Sequence, residues 1–157
     1  MNKVKIIGLI ITISSILASC QMPLHSEYHT MDTDGWHQDS AVTFDFGIDD
    51  TDMHYDMIVH MRHTERFPYQ NMWLFTELHT PNDSIVMRDT IEFYLADERG
   101  VWLGNGGMGR KDMPVLYMEN ILLPDTGLYH LTIRQGMREE RLREVTEVGL
   151  EILRHKQ

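Results

Sequence analysis

A single cysteine, Cys20, occurs in the 157 residues of the sequence. No intramolecular disulfide can form, so any fold must be held by packing, and metal sites built on several thiolates are excluded. Basic residues are also scarce: 14 Lys and Arg stand against 24 Asp and Glu, a net charge of −10 at pH 7. A surface of that sign repels phosphate backbones and anionic lipid, which sets nucleic acid aside as a partner. No apolar run approaches the roughly 20 residues that a membrane-spanning helix needs. Proline is limited to five residues, and neither an internal repeat nor a low-complexity tract is present. Missing too are the Gly-x-Ser-x-Gly elbow of a serine hydrolase, the Gly-Lys-Ser/Thr end of a phosphate loop and the His-Glu-x-x-His of a zinc protease.

The amino terminus is what the sequence does carry. Lys3 and Lys5 precede the apolar stretch Ile6–Leu17, and Leu17-Ala18-Ser19 leads directly into Cys20. Positive charge, apolar core and small residues in that order form a secretory signal. A cysteine at the cleavage point gives it the pattern of a bacterial lipobox. The thiol then takes a diacylglyceryl group, cleavage follows Ser19, and Cys20 becomes an acylated (palmitate-type) terminus. Small side chains at 18 and 19 admit a membrane-embedded peptidase to the backbone, and only a thiol offers the soft nucleophile for a thioether. The alternative is an ordinary secretory signal with a cysteine at its end. Two or more acyl chains, at about 0.8 kcal/mol per buried methylene, anchor stably where one is marginal. Gln21 stands where an inner-membrane retention aspartate would, which directs the anchor to the outer membrane.

Removal of residues 1–19 leaves one ordinary domain's length of chain. Residues 20–40 are polar, with Pro23 and Gly35, and read as a lipidated terminus and tether; residues 41–157 read as a single domain. Val42, Phe44, Phe46 and Ile48 alternate with polar residues, as do Tyr55, Met57, Val59 and Met61. Met72, Leu74, Thr76 and Leu78 define one face of another strand, with Trp73 and Phe75 on the other. Strands are expected also at Ile85–Arg88, Thr90–Ala96, Val101–Leu103, Val115–Leu123, Gly127–Gln135 and Val145–Leu153, with turns at Pro81–Ser84 and Pro124–Gly127. Short alternating strands with such turn spacing predict an all-β, antiparallel, jelly-roll-like sandwich of about eight strands. Met137–Glu144, rich in helix formers, is expected as a short helix or an irregular loop.

Candidate chemistry is thin. His54, His60 and His63 do not converge at zinc-ligand spacing, and solvent-facing strand histidines are the better expectation. Asp32–Gly35 and Asp49–Asp52 resemble calcium loops but lack the ligand order, so turn capping is preferred. No cofactor, metal or catalytic residue is assigned. The run Gly104–Arg110 reads as an exposed loop in which glycines permit positive φ, and it is a candidate partner contact. Tyr69, Trp73 and Trp102 could form a stacking platform for a glycan; as strand residues they could equally be core.

Several short motifs follow one another in fixed order: Phe67-Pro68-Tyr69-Gln70-Asn71-Met72-Trp73-Leu74-Phe75, Asp89-Thr90, Phe93-Tyr94-Leu95-Ala96-Asp97, Gly100-Val101-Trp102-Leu103-Gly104-x-Gly106, Gly127-x-Tyr129, Gln135-Gly136-Met137-Arg138 and Glu147-Val148-Gly149-Leu150. With the lipobox in front, the chain resembles the GldH-type gliding-motility lipoproteins of Bacteroidetes from about Tyr28 to Leu153. The resemblance implies an outer-envelope lipoprotein, grouped with motility machinery that travels with the type IX secretion apparatus, and a noncatalytic one that meets other envelope proteins. It makes Tyr69, Asn71, Trp73, Trp102, Gly104, Gly106 and Arg138 fold or partner-contact positions. A glycan-binding lipoprotein is the alternative.

Overall fold

The alternation of apolar and polar residues becomes strand after strand in the computed structural model, which describes residues 22–156; the signal segment and Cys20 lie outside the described residues. In chain order the strands are β1 (His25–Thr30), β2 (Trp36–His37), β3 (Val42–Ile48), β4 (His54–Thr64), β5 (Asn71–His79), β6 (Ile85–Tyr94), β7 (Arg110–Leu122), β8 (Gly127–Gln135), β9 (Arg141–Leu142) and β10 (Val145–Arg154). Eight of them build two four-stranded antiparallel sheets, β1-β10-β4-β7 and β3-β8-β5-β6, and the two-residue strands β2 and β9 form a small ribbon. Only β5 and β6 follow each other within one four-stranded sheet; the other connections between long strands cross from sheet to sheet, the winding of a jelly roll.

Period-2 patterning decides what lies between the sheets. β3 buries Val42, Phe44, Phe46 and Ile48, β4 buries Tyr55, Met57, Val59 and Met61, and β5 buries Met72, Leu74, Thr76 and Leu78. Tyr129, Leu131 and Ile133 of β8 and Val148, Leu150 and Ile152 of β10 close the same core. Each such aromatic or branched side chain contributes about 1.5–3 kcal/mol through burial, which is what replaces the missing disulfide.

Several expectations are settled or corrected. Of the two forms expected for 137–144, the irregular loop is present and the helix is not. Gln135 Nε2 donates to the Glu139 carbonyl at 2.7 Å, the Met137 amide donates to Gln135 Oε1 at 2.8 Å, and Arg141–Leu142 then pair with Trp36–His37. Burial of Leu142 overrides the helix propensity of its neighbours. The ordered domain begins well before residue 41: β1 adds to the edge of β10, and Trp36 is buried with its indole N–H on the Ser40 carbonyl at 2.8 Å. Residues 85–94 are one strand rather than two, and Val101–Leu103 contributes only an isolated bridge, Trp102 to Ala96.

The sandwich has two distinct ends. His25 pairs with Ile152, Tyr55 with Arg154, and Ile48 with Gly127, so the chain enters at the end that carries loops 49–53, 80–84 and 123–126. At the opposite end lie the segments 65–70, 95–109 and 136–140, where most of the distinctive sequence motifs fall.

Candidate functional site

β5 presents Asn71, Trp73 and Phe75 on the outer face of its sheet because the intervening residues are consumed by the core. Asn71 is paired with Tyr94 of β6, Trp73 with Glu92, and Phe75 with Thr90 on one side and Arg134 of β8 on the other. Trp73, Phe75 and Tyr94 are 38%, 50% and 61% exposed, a cluster of large rings in solvent. Where β8 ends, the Gly136 amide donates to the Trp73 carbonyl at 2.7 Å and the Trp73 amide meets the Met137 sulfur at 3.4 Å. A groove of about 460 Å³ results, lined by Tyr69, Asn71, Trp73, Gly136, Met137 and Arg138.

Gly136 packs closely against β5. A Cβ there would stand 3.2 Å from the Trp73 Cβ and from the Phe75 ring. The polar members are fixed from within: Asn71 Nδ2 donates to Glu92 at 2.7 Å, and the Tyr69 hydroxyl donates to Glu139. That bond to a carboxylate, with some burial, raises the Tyr69 phenol above its ordinary pKa. Arg138 makes no ion pair among the described residues.

Four of the seven positions expected from sequence thus meet in one groove, and three do not. Trp102 instead packs on the His63 ring at 4.6 Å, and His63 packs on Phe67, which meets Tyr69 edge-on with planes 73° apart. Those tilted rings do not make the flat platform expected of Tyr69, Trp73 and Trp102. Gly104 and Gly106 serve the long loop before β7: a Cβ would stand 2.7 Å from the Asp112 carbonyl at Gly104, and 2.5 Å from the Arg110 carbonyl at Gly106, where φ is also +137°. They hold the loop against β7 through the Asn105–Asp112 bridge. Gly136, Met137 and Phe75 join the site unforeseen. Only the outward parity of Phe75 on β5 pointed to it.

The histidines also depart from expectation. His63 is fully buried and His60 nearly so, while His54 is half-buried. Burial, and then the nearby Lys111 charge, lower the His63 pKa, although the Thr64 carbonyl accepts from its Nδ1 at 2.8 Å. His60 lies under the Tyr28 ring between Asp112 and Glu151, 3.1 Å from each. Arg62 stacks on that ring at 3.8 Å and bonds Glu147 at 2.8 Å, the latter bond chiefly raising its pKa. No group of three or more His, Cys, Asp or Glu among the described residues could hold a metal ion. In the acidic loops, Asp34 pairs with Arg141 at 2.8 Å, Asp49 with Arg154 at 3.2 Å, and Asp50 caps the Asp52 amide at 2.9 Å.

The chain is thus a jelly-roll sandwich with an open groove at the end far from its chain entry. The family model for the GldH lipoprotein matches residues 24–152, and the chain belongs to that family. The gliding motility lipoprotein GldH of Flavobacterium johnsoniae is 30% identical over 158 residues, covering 96% of this chain and 97% of that protein. A homologue of that lipoprotein from Christiangramia forsetii is 30% identical over 145 residues, covering 87% and 88%. Among solved structures, an α-L-arabinofuranosidase aligns with 89% of this chain and 24% of its own at 11% identity and a TM-score of 0.41, too distant a likeness to bear on function.

Proposed function

We propose that the protein is a noncatalytic envelope lipoprotein, anchored by lipid on Cys20 at the outer membrane, that acts by assembling with other envelope proteins of the gliding and type IX secretion-associated machinery. One observation carries the reading: the exposed Trp73, Phe75 and Tyr94 cluster on the outer face of β5 and β6. Contiguous exposed rings on a small acidic protein mark an interaction surface. Membership of a lipoprotein family with gliding-motility relatives supports the anchor and the setting. Glycan binding has less support, since Trp102 stands apart from Tyr69 and Trp73 and the neighbouring rings are tilted. The test is a crosslinking pull-down of the lipidated protein from its native membrane beside Cys20→Ala. Defined envelope proteins recovered from the first and lost from the second are the expected result. Retention of glycan with no protein would replace assembly by carbohydrate recognition.

A further inference from the structure

We propose that β1 is a detachable strap: it leaves the edge of β10 while the rest of the sandwich stays folded, so the lipid tether has two lengths and two points of attachment. The inference rests on the anchor proposed at Cys20 and specifies how that anchor holds the domain.

Among the described residues, β1 is the one strand that contributes no buried residue; each of the other nine contributes at least one. It pairs with β10 alone, and its other edge is free. Leu24 and Met31, which flank it, are only partly buried against the core. The side chains of β1 lie on the sandwich rather than in it. Tyr28 covers Gly149 and stacks on Arg62, while His25 and His29 rest against Phe46 and Phe44 with ring centres 6.1 and 5.0 Å apart. Docking also leaves His25 Nε2 buried without a hydrogen-bond partner, a cost that release into water removes. A ladder on one side and few buried apolar groups put such a strand at the low end of local stability.

Beyond the strap the chain is clamped. Gly35, at φ +113°, lies so close to the ribbon that a Cβ would stand 2.7 Å from the Leu142 carbonyl, and Trp36 is buried. The core keeps its own contacts without β1: Phe46 stacks on Tyr129 at 5.8 Å, and β10 pairs with β4 along its length. Release therefore stops at Gly35. Its consequence is geometric, because β1 runs from the chain entry towards the opposite end of the sandwich. With β1 docked, residues 21–24 join Cys20 to the domain, a reach of about 18 Å to His25 at full extension. With β1 released, residues 21–35 do so, a reach of about 55 Å to Trp36. The point of attachment moves from the entry end to the end that carries the groove. One state holds the groove away from the membrane; the other lets it turn towards the membrane or stand farther off.

The test uses the full-length lipidated protein on phosphatidylcholine vesicles, with Ser26→Cys and Glu151→Cys, directly opposed across β1 and β10, as a lock. Hydrogen exchange read by mass spectrometry should show the amides of 24–31 exchanging at least about 100-fold faster than those of β4, in the parent and in the reduced variant. Oxidation of the cysteine pair should bring 24–31 to within about tenfold of β4 and leave β4 unchanged. Endoproteinase Glu-C should cut after Glu27 in the reduced form only, freeing from the vesicles a domain that begins at Tyr28. Tyr28→Ala, which needs no disulfide, should speed exchange of 24–31 about tenfold with β4 unchanged. Equal protection of β1 and β4 in the parent, or fast exchange of 24–31 that survives the oxidised lock, would overturn the strap while leaving the anchor intact. An intact mass without acyl chains on Cys20 would remove the anchor, and the two-length tether with it, whatever β1 does.

Discussion

At the scale of single residues, the histidines show how far side-chain type misleads without a third dimension. His63 looked like a polar member of a strand, but its parity is that of Tyr55, Val59 and Met61, and the core claims it. Its ring fills the space between Phe67 and Trp102, with Nε2 left without a partner. Burial lowers its pKa below the ordinary 6.5, so the unfolded chain takes up this proton more readily than the folded one. The contribution of His63 to stability is therefore complete above about pH 6.5 and is lost as the pH falls below it. Thermal melts from pH 7.5 to 5 should show a decline that His63→Phe makes shallower; an unchanged pH dependence in that variant would count against the buried neutral ring. Trp73 is the opposite case. Trp73→Ala removes a half-exposed ring, so urea unfolding should change by no more than about 1 kcal/mol, while partner capture is lost.

Secondary elements are most legible in the sequence where one face is buried and least legible where pairing alone decides. β3, β5 and β8 announce themselves because every second residue enters the core, and even the outward placement of Trp73 and Phe75 follows from that parity. β1 was hidden, since His25–Thr30 is polar and owes its conformation to the β10 edge. The 137–144 segment was ambiguous for a related reason: local propensity favours a turn of helix, whereas Leu142 has a buried place in the ribbon with β2. Two predictions belong here. A Cβ at Gly149 would lie 2.4 Å from the Tyr28 ring, the ring on which Arg62 stacks. Gly149→Ala should cost about 1–3 kcal/mol in denaturant unfolding, and much of that cost should vanish in a Tyr28→Ala background. Asp89→Val removes the charge that blunts the β6 edge, so sedimentation should reveal concentration-dependent association absent from the parent protein.

For the whole molecule, sequence patterning and family motifs converge on a jelly-roll lipoprotein, yet the shared site could not be drawn from either. Phe67–Phe75 and Gln135–Arg138 are some 60 residues apart and come together only because β5 and β8 are neighbours in one sheet. Trp102 and the loop glycines carry equal weight in the sequence, but their task is to close the same end of the sandwich. The resulting molecule has its chain entry at one end and, at the other, an open groove beside Trp73. Its central claim is that the protein works as a bound subunit. The most direct measurement is native electrophoresis of gently solubilised membranes, probed for this chain. The account predicts a discrete assembly well above the 18.4 kDa of the chain, reduced when Trp73→Ala is introduced. Migration as a free lipidated monomer, with no larger species even after crosslinking, would contradict it.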